Sequence, residues 1–171
     1  ANAHPHRAGG VAVVHNGIIE NFRELRAFLG DHGIAFETDT DTETVALLAQ
    51  YFRDQGCTPA EAAQKTIAKL EGAYALCFLF EGEGDLLIAA RKGSPLAIGH
   101  GKGEMFVGSD AIALAPMTDT LTYLDEGDWA IITRTSLEIR DETGAVVERP
   151  VKKIEIGSAG VDKGGYKHFM A

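Results

Sequence analysis

The sequence predicts an α+β fold, and the prediction rests on where two kinds of pattern fall along the chain. Apolar residues at helical spacing lie before Leu70. From Ala73 onward, short β-branched and aromatic runs alternate with glycine and acidic turn residues. Helices early and paired strands later fit antiparallel sheets with segregated helices better than the strand–helix alternation of a doubly wound parallel sheet. The 171 residues suit one domain and can bury a substantial core.

The elements follow in order. Val11, Val13 and Val14 read as the end of a buried strand, and Asn16-Gly17 as the tight turn after it, because both residues tolerate positive φ. Ile18, Phe22, Leu25 and Leu29, widened by Ile19 and Phe28, then predict an amphipathic helix that Gly30 and Gly33 end. Thr38-Asp39-Thr40-Asp41-Thr42-Glu43-Thr44 crowds capping residues and carboxylates at the positive end of a second helix. Its buried stripe is Val45, Leu48 and Phe52. Thr58-Pro59-Ala60-Glu61 starts a third, with Glu61 at the capping-box position. Ala60, Ala63, Ile67 and Leu70 face the core, and Gly72 ends the helix. Residues 73–80 and 86–91 flank Glu81-Gly82-Glu83-Gly84-Asp85 as a hairpin. Gly93-Ser94-Pro95 interrupts the next strand, at 96–98, and 105–107 is another. Ser109-Asp110 caps a helical turn at 111–114, and short strands follow at 122–124, 129–133, 137–140 and 146–147.

Composition narrows the function classes. A hydrophobic share of 45% with 24% charged residues is ordinary for a globular protein in water. A net charge of -9 without a basic cluster excludes a nucleic-acid surface. No apolar run reaches membrane-spanning length and no signal-peptide pattern opens the chain, so no membrane partner and a cytoplasmic location are expected. The two cysteines form no framework: Cys77 lies in an apolar run and reads as a buried hydrophobe, and Cys57 looks incidental after a helix end. Both ends look cut. Residues 1–157 are expected to form the domain and 158–171, glycine-bearing and without an apolar pattern, a linker.

Three places bear on chemistry. The Asn16 amide and Gly17 backbone N–H, at the end of a strand, can donate to a developing oxyanion, or they form a plain connection. Asp41 is a first-turn acid or an anion that holds a ligand ammonium group. His4, made extended by Pro5, is aimed at a site or sits in a solvated loop. No carboxylate or cysteine stands at ligand spacing around His4 and His6, so neither metal nor cofactor is expected.

Together Ala3-His4-Pro5-His6, His15-Asn16-Gly17-Ile18-Ile19-Glu20-Asn21, Thr40-Asp41-Thr42-Glu43, Ala90-Arg91-Lys92-Gly93-Ser94-Pro95-Leu96, Ser109-Asp110 and the closing residues 162–170 resemble the class II glutamine amidotransferases. The set points to their sugar-phosphate branch, the glutamine–fructose-6-phosphate aminotransferases. Another class II amidotransferase, such as an amidophosphoribosyltransferase, and a non-catalytic binding domain of the same fold are the alternatives. The resemblance implies an N-terminal nucleophile (Ntn) hydrolase-type four-layer αββα sandwich, here partial. It implies L-glutamine hydrolysis by an amino-terminal cysteine, whose own α-amino group titrates near neutrality and can serve as base. It implies Asn16 and Gly17 as the oxyanion hole, Asp41 as the partner of the glutamine ammonium group, and His4 as a coupler to the sugar site. Ammonia would pass to an isomerase domain that binds fructose-6-phosphate, in a homodimeric parent. Ala1 is no nucleophile and neither cysteine is amino-terminal, so this chain is expected to be a fragment that is inactive alone.

Overall fold

The computed structural model describes residues 6–155. β1 (His6–Ala8) and β2 (Val11–Ile19) lead into three helices, α1 (Phe22–Asp31), α2 (Asp41–Asp54) and α3 (Pro59–Lys69). β3 (Gly72–Phe80), β4 (Leu87–Lys92), β5 (Ala97–His100) and β6 (Met105–Gly108) precede the short α4 (Ala111–Leu114). β7 (Thr120–Tyr123), β8 (Trp129–Ile132), β9 (Leu137–Arg140), β10 (Val146–Val147) and β11 (Val151–Lys153) complete the described chain.

The strands form two antiparallel sheets, one ordered β1-β2-β3-β4-β8-β9-β10 and the other β11-β7-β5-β6. Strand alternation sorts their side chains into layers. Val11, Val13 and Ile19 of β2, with Leu76 and Phe78 of β3, pack under Leu25, Leu29, Val45 and Leu48 of the helices. Val14, Ala75, Cys77 and Ala89, on the opposite face, meet Leu96, Ile98 and Val107 around the smaller sheet. The far side of that sheet, through Ala97 and Leu121, packs on Leu114 of α4. The order helix, sheet, sheet, helix is the predicted αββα arrangement. No helix among the described residues is long and apolar enough to cross a membrane.

The predicted caps form. Thr40 caps α2 through the Glu43 amide, Thr58 and Glu61 close a capping box on α3, and Asp110 caps α4. Cys77 is fully buried, as the apolar run predicts.

Four local expectations are corrected. Asn16-Gly17 is not a turn: β2 continues through it to Ile19, and the helix begins only at Phe22. The cause is pairing with β3, which gives Asn16, Gly17, Ile18 and Ile19 the partners Ala75, Tyr74, Ala73 and Gly72. Gly17 keeps its left-handed φ of 104° inside the ladder, and a Cβ there would lie 2.2 Å from the Ala73 carbonyl oxygen. Ile18 therefore joins no helical stripe and is 66% exposed. Gly30 stays within α1, and the chain leaves the helix through Gly33. Gly72 opens β3 rather than ending α3, whose cap is the extended Leu70. Lastly, a strand, β1, leads the described chain where none is legible, held by its pairing with β2.

Asn21 fixes the exit from β2. Its side-chain amide donates to the Lys69 carbonyl at 2.7 Å and accepts from the Glu71 N–H at 3.0 Å. It thereby clamps the β2–α1 junction to the α3–β3 junction instead of capping α1.

Candidate active site

The site forms where the end of β2 meets the start of α2. Along an antiparallel ladder, successive amides point to opposite sides. The Glu20 N–H bonds the Glu71 carbonyl on the β3 side, and the Ile19 N–H bonds Asp41 Oδ2 at 3.1 Å on the other. Gly17 lies two residues earlier on the same strand, paired with Tyr74 of β3. The pairing of β1 with β2 covers only residues 11–13, so among the described residues this later edge has no neighbouring strand. Asn16 and Gly17 are exposed there. Three of the sequence-predicted residues thus lie on or against one strand segment. His4 and the linker at 158–171 lie outside the described residues.

Asp41 occupies the first turn of α2, behind the Thr40 cap. Two constraints hold it there, and sequence reading assigned neither. Glu43 folds back: its carboxylate accepts the Glu37 and Thr38 amides and the Thr38 hydroxyl, each at 2.8 Å. Arg26 of α1 lies 3.6 Å from Glu43 and donates to the Thr38 and Thr40 carbonyls. Burial alone would raise the Glu43 carboxyl. The Glu37 and Thr38 hydrogen bonds, with the Arg26 charge, outweigh it and hold the group below the usual glutamate range.

The second constraint is His15, buried on the helix-facing side of β2. Its Nδ1 lies 3.0 Å from the Thr42 hydroxyl and 3.8 Å from Asp41 Oδ1. Nε2 is buried without a hydrogen-bond partner among the described residues. Desolvation lowers the imidazole pKa, opposed by the Asp41 charge and assisted by His6. The signal was present in the sequence: His15 is in phase with Val11 and Val13, and a histidine on the inward face of a strand needs a partner.

Neither cysteine belongs to the site. Cys77 points between the sheets, and burial pushes its thiol up to about 12. Cys57 is buried in the connection between α2 and α3.

A carboxylate at a helix start, docked on a strand-edge amide and partly exposed, can hold a ligand that carries an ammonium group. The chain belongs to the glutamine amidotransferase domain family, which matches residues 3–116. Over its whole length it is 56% identical to the glutamine–fructose-6-phosphate aminotransferase (isomerizing) of Bradyrhizobium diazoefficiens, and over 99% of its length it is 57% identical to that of Brucella abortus. It spans 28% of the length of each of these curated relatives. Among solved structures, the allosteric regulatory enzyme of purine biosynthesis superposes on 91% of this chain and 31% of its own, with a TM-score of 0.61 at 25% identity. The glutamine phosphoribosylpyrophosphate amidotransferase of B. subtilis covers 91% of this chain and 32% of its own at a TM-score of 0.59, again with 25% identity.

Proposed function

We propose that this domain is the glutaminase of an isomerising glutamine–fructose-6-phosphate aminotransferase, releasing ammonia from L-glutamine for transfer to the sugar phosphate. Identity of 56% to an aminotransferase of that name, against 25% to the purine-pathway structures, favours this substrate pair over amidophosphoribosyl transfer. The observation that carries the site is the docking of Asp41 onto the Ile19 amide, which sets a carboxylate beside the strand that presents Asn16 and Gly17.

In this reading the Asp41 carboxylate pairs with the glutamine α-ammonium group and so selects an amino acid over a simple amide. The Asn16 side chain and the Gly17 N–H donate to the carbonyl oxygen as it becomes an oxyanion in the tetrahedral intermediate. The attacking thiol lies outside these 171 residues, because Cys77 is sealed between the sheets and Cys57 sits on another connection. His4 couples the glutamine site to the sugar site, and residues 158–171 lead toward the isomerase region. The parent is a cytoplasmic homodimer.

The deciding experiment compares the full-length gene product with its Asn16→Ala variant, following glutamate release from glutamine with fructose-6-phosphate present. An oxyanion donor acts mainly in the transition state, so kcat falls by about 10²–10³-fold while KM changes little. An unchanged kcat overturns the oxyanion assignment. Absence of glutaminase activity in the parent overturns the function.

A further inference from the structure

We infer that His15 is a positioning residue for Asp41: held neutral with its proton on Nδ1, it fixes the start of α2 against β2 and leaves the full Asp41 charge to the ligand. The inference rests on the reading of this edge as the glutamine site. One ring nitrogen faces two acceptors at once, the Thr42 hydroxyl at 3.0 Å and Asp41 Oδ1 at 3.8 Å. A carboxylate can only accept, so a proton on Nδ1 suits both partners. Nε2 then carries a lone pair in a buried position without a donor among the described residues.

Protonating Nε2 would bury an N–H with no acceptor among the described residues. The Asp41 charge favours the imidazolium, but burial, the largest influence on the ring, outweighs it. The other titratable group facing the ring is His6 of β1, whose positive form would oppose a second cation. Burial acts in the same direction and lowers the imidazole below its ordinary range. Neutral His15 therefore holds Asp41 in place without cancelling its charge. A protonated His15 would compete with the substrate ammonium for the same carboxylate. The signature is a KM effect that appears in acid, distinct from the kcat effect of an oxyanion donor.

The test uses the full-length gene product. In the parent, glutamine KM rises only as pH falls below the ordinary histidine value of about 6.5, because burial lowers the His15 imidazole, and kcat changes less. His15→Asn keeps a donor near the Nδ1 position and does not titrate. It retains the neutral-pH KM to within about threefold and flattens the acid rise. His15→Leu raises KM by at least about tenfold at every pH and leaves kcat within about threefold. NMR of the ring nitrogens gives a readout independent of activity: the His15 proton resides on Nδ1 at neutral pH. A proton on Nε2 overturns the inference, as does a folded His15→Leu enzyme with the parent's KM and pH profile. Either result leaves the glutamine reading standing where the parent hydrolyses glutamine and Asn16→Ala still lowers kcat.

Discussion

The Asp41 carboxylate accepts the backbone N–H of Ile19 at 3.1 Å, across 22 positions of sequence. This bond ties the first turn of α2 to the end of β2, and it joins two readings of Asp41 that sequence alone kept apart. The residue is a first-turn acid, favoured by the helix dipole. It also stands, 25% exposed at its side chain, beside the strand segment that carries the candidate oxyanion donors. Because one oxygen is engaged with backbone, the carboxylate is oriented before any ligand arrives, and little ordering cost remains at binding.

Asp41→Ala in the full-length gene product is expected to raise glutamine KM by about 10²-fold or more, since the proposed ammonium partner is charged in the ground state and the transition state alike. Asp41→Asn keeps an acceptor for the Ile19 N–H but loses the charge. It should fold like the parent and still bind glutamine weakly. A parent-like KM in Asp41→Asn would reduce Asp41 to a structural acid of α2.

Gly17→Ala is expected to destabilise the domain by about 3 kcal/mol and to abolish glutamine turnover. The left-handed φ of 104° costs a residue with a Cβ about 1–2 kcal/mol. The new methyl would also lie 2.2 Å from the Ala73 carbonyl and 2.8 Å from the Tyr74 Cα, which are backbone atoms that cannot rotate away. The β2–β3 ladder must therefore shift, and the Gly17 amide shifts with it. Thermal melting with parallel kinetics checks this. A parent-like melting temperature would show that the strand tolerates the methyl.

How much was legible follows from the range of the interaction behind each signal. Thr58 and Glu61 form their capping box as read, because a cap is decided within one turn of chain. Cys77 is buried as read, because its apolar run is long enough to be unambiguous. Asn16-Gly17 was misassigned because its conformation is decided by residues 72–75, more than fifty positions away, whose pairing overrides local turn preference. Ile18 misled for the same reason: its helical spacing to Phe22 is real, but the chain is still a strand there. In the candidate site, Asp41 and Asn16-Gly17 were readable as residue types in suitable places. The partnerships of His15 with Thr42 and of Glu43 with Glu37 and Thr38 arise only when α2 docks on β2.

Glu43→Gln is expected to weaken the start of α2 and to remove part of the acid sensitivity of the fold. The Glu43 carboxyl is held below its ordinary range, so the stability it contributes is complete above the unfolded glutamate value of about 4.3. That stability is lost as pH falls through the lower folded value. At neutral pH the variant leaves one of the Glu37 and Thr38 donors facing an amide nitrogen, a loss of about 1–3 kcal/mol. The difference between denaturant melts of parent and variant should shrink as pH is lowered from neutrality to below the unfolded glutamate value of about 4.3. A constant difference across that range would show that the Glu43 charge does not stabilise the fold.

Cys77 separates a structural thiol from a nucleophilic one. It lies in β3 opposite Val14 of β2 and Ala89 of β4, fully buried between the sheets, with its thiol pushed up to about 12 by desolvation. A thiol there is almost wholly protonated at neutral pH and out of reach of solvent, so it neither attacks a carbonyl nor reacts with a soluble disulfide reagent. Cys77→Ala should keep glutamine turnover within about twofold and cost about 1 kcal/mol of stability through the lost sulfur contacts. Cys77→Ser keeps the shape but buries a hydroxyl, and should be the less stable of the two by about 1–2 kcal/mol. A nucleophile would show the opposite ranking of symptoms, with both variants stable and both inactive. Thiol labelling of the native and unfolded full-length gene product, followed by mass spectrometry of the peptide that contains Cys77, completes the test. Modification of Cys77 in the native protein as fast as in the unfolded chain would contradict its assignment to the inter-sheet core.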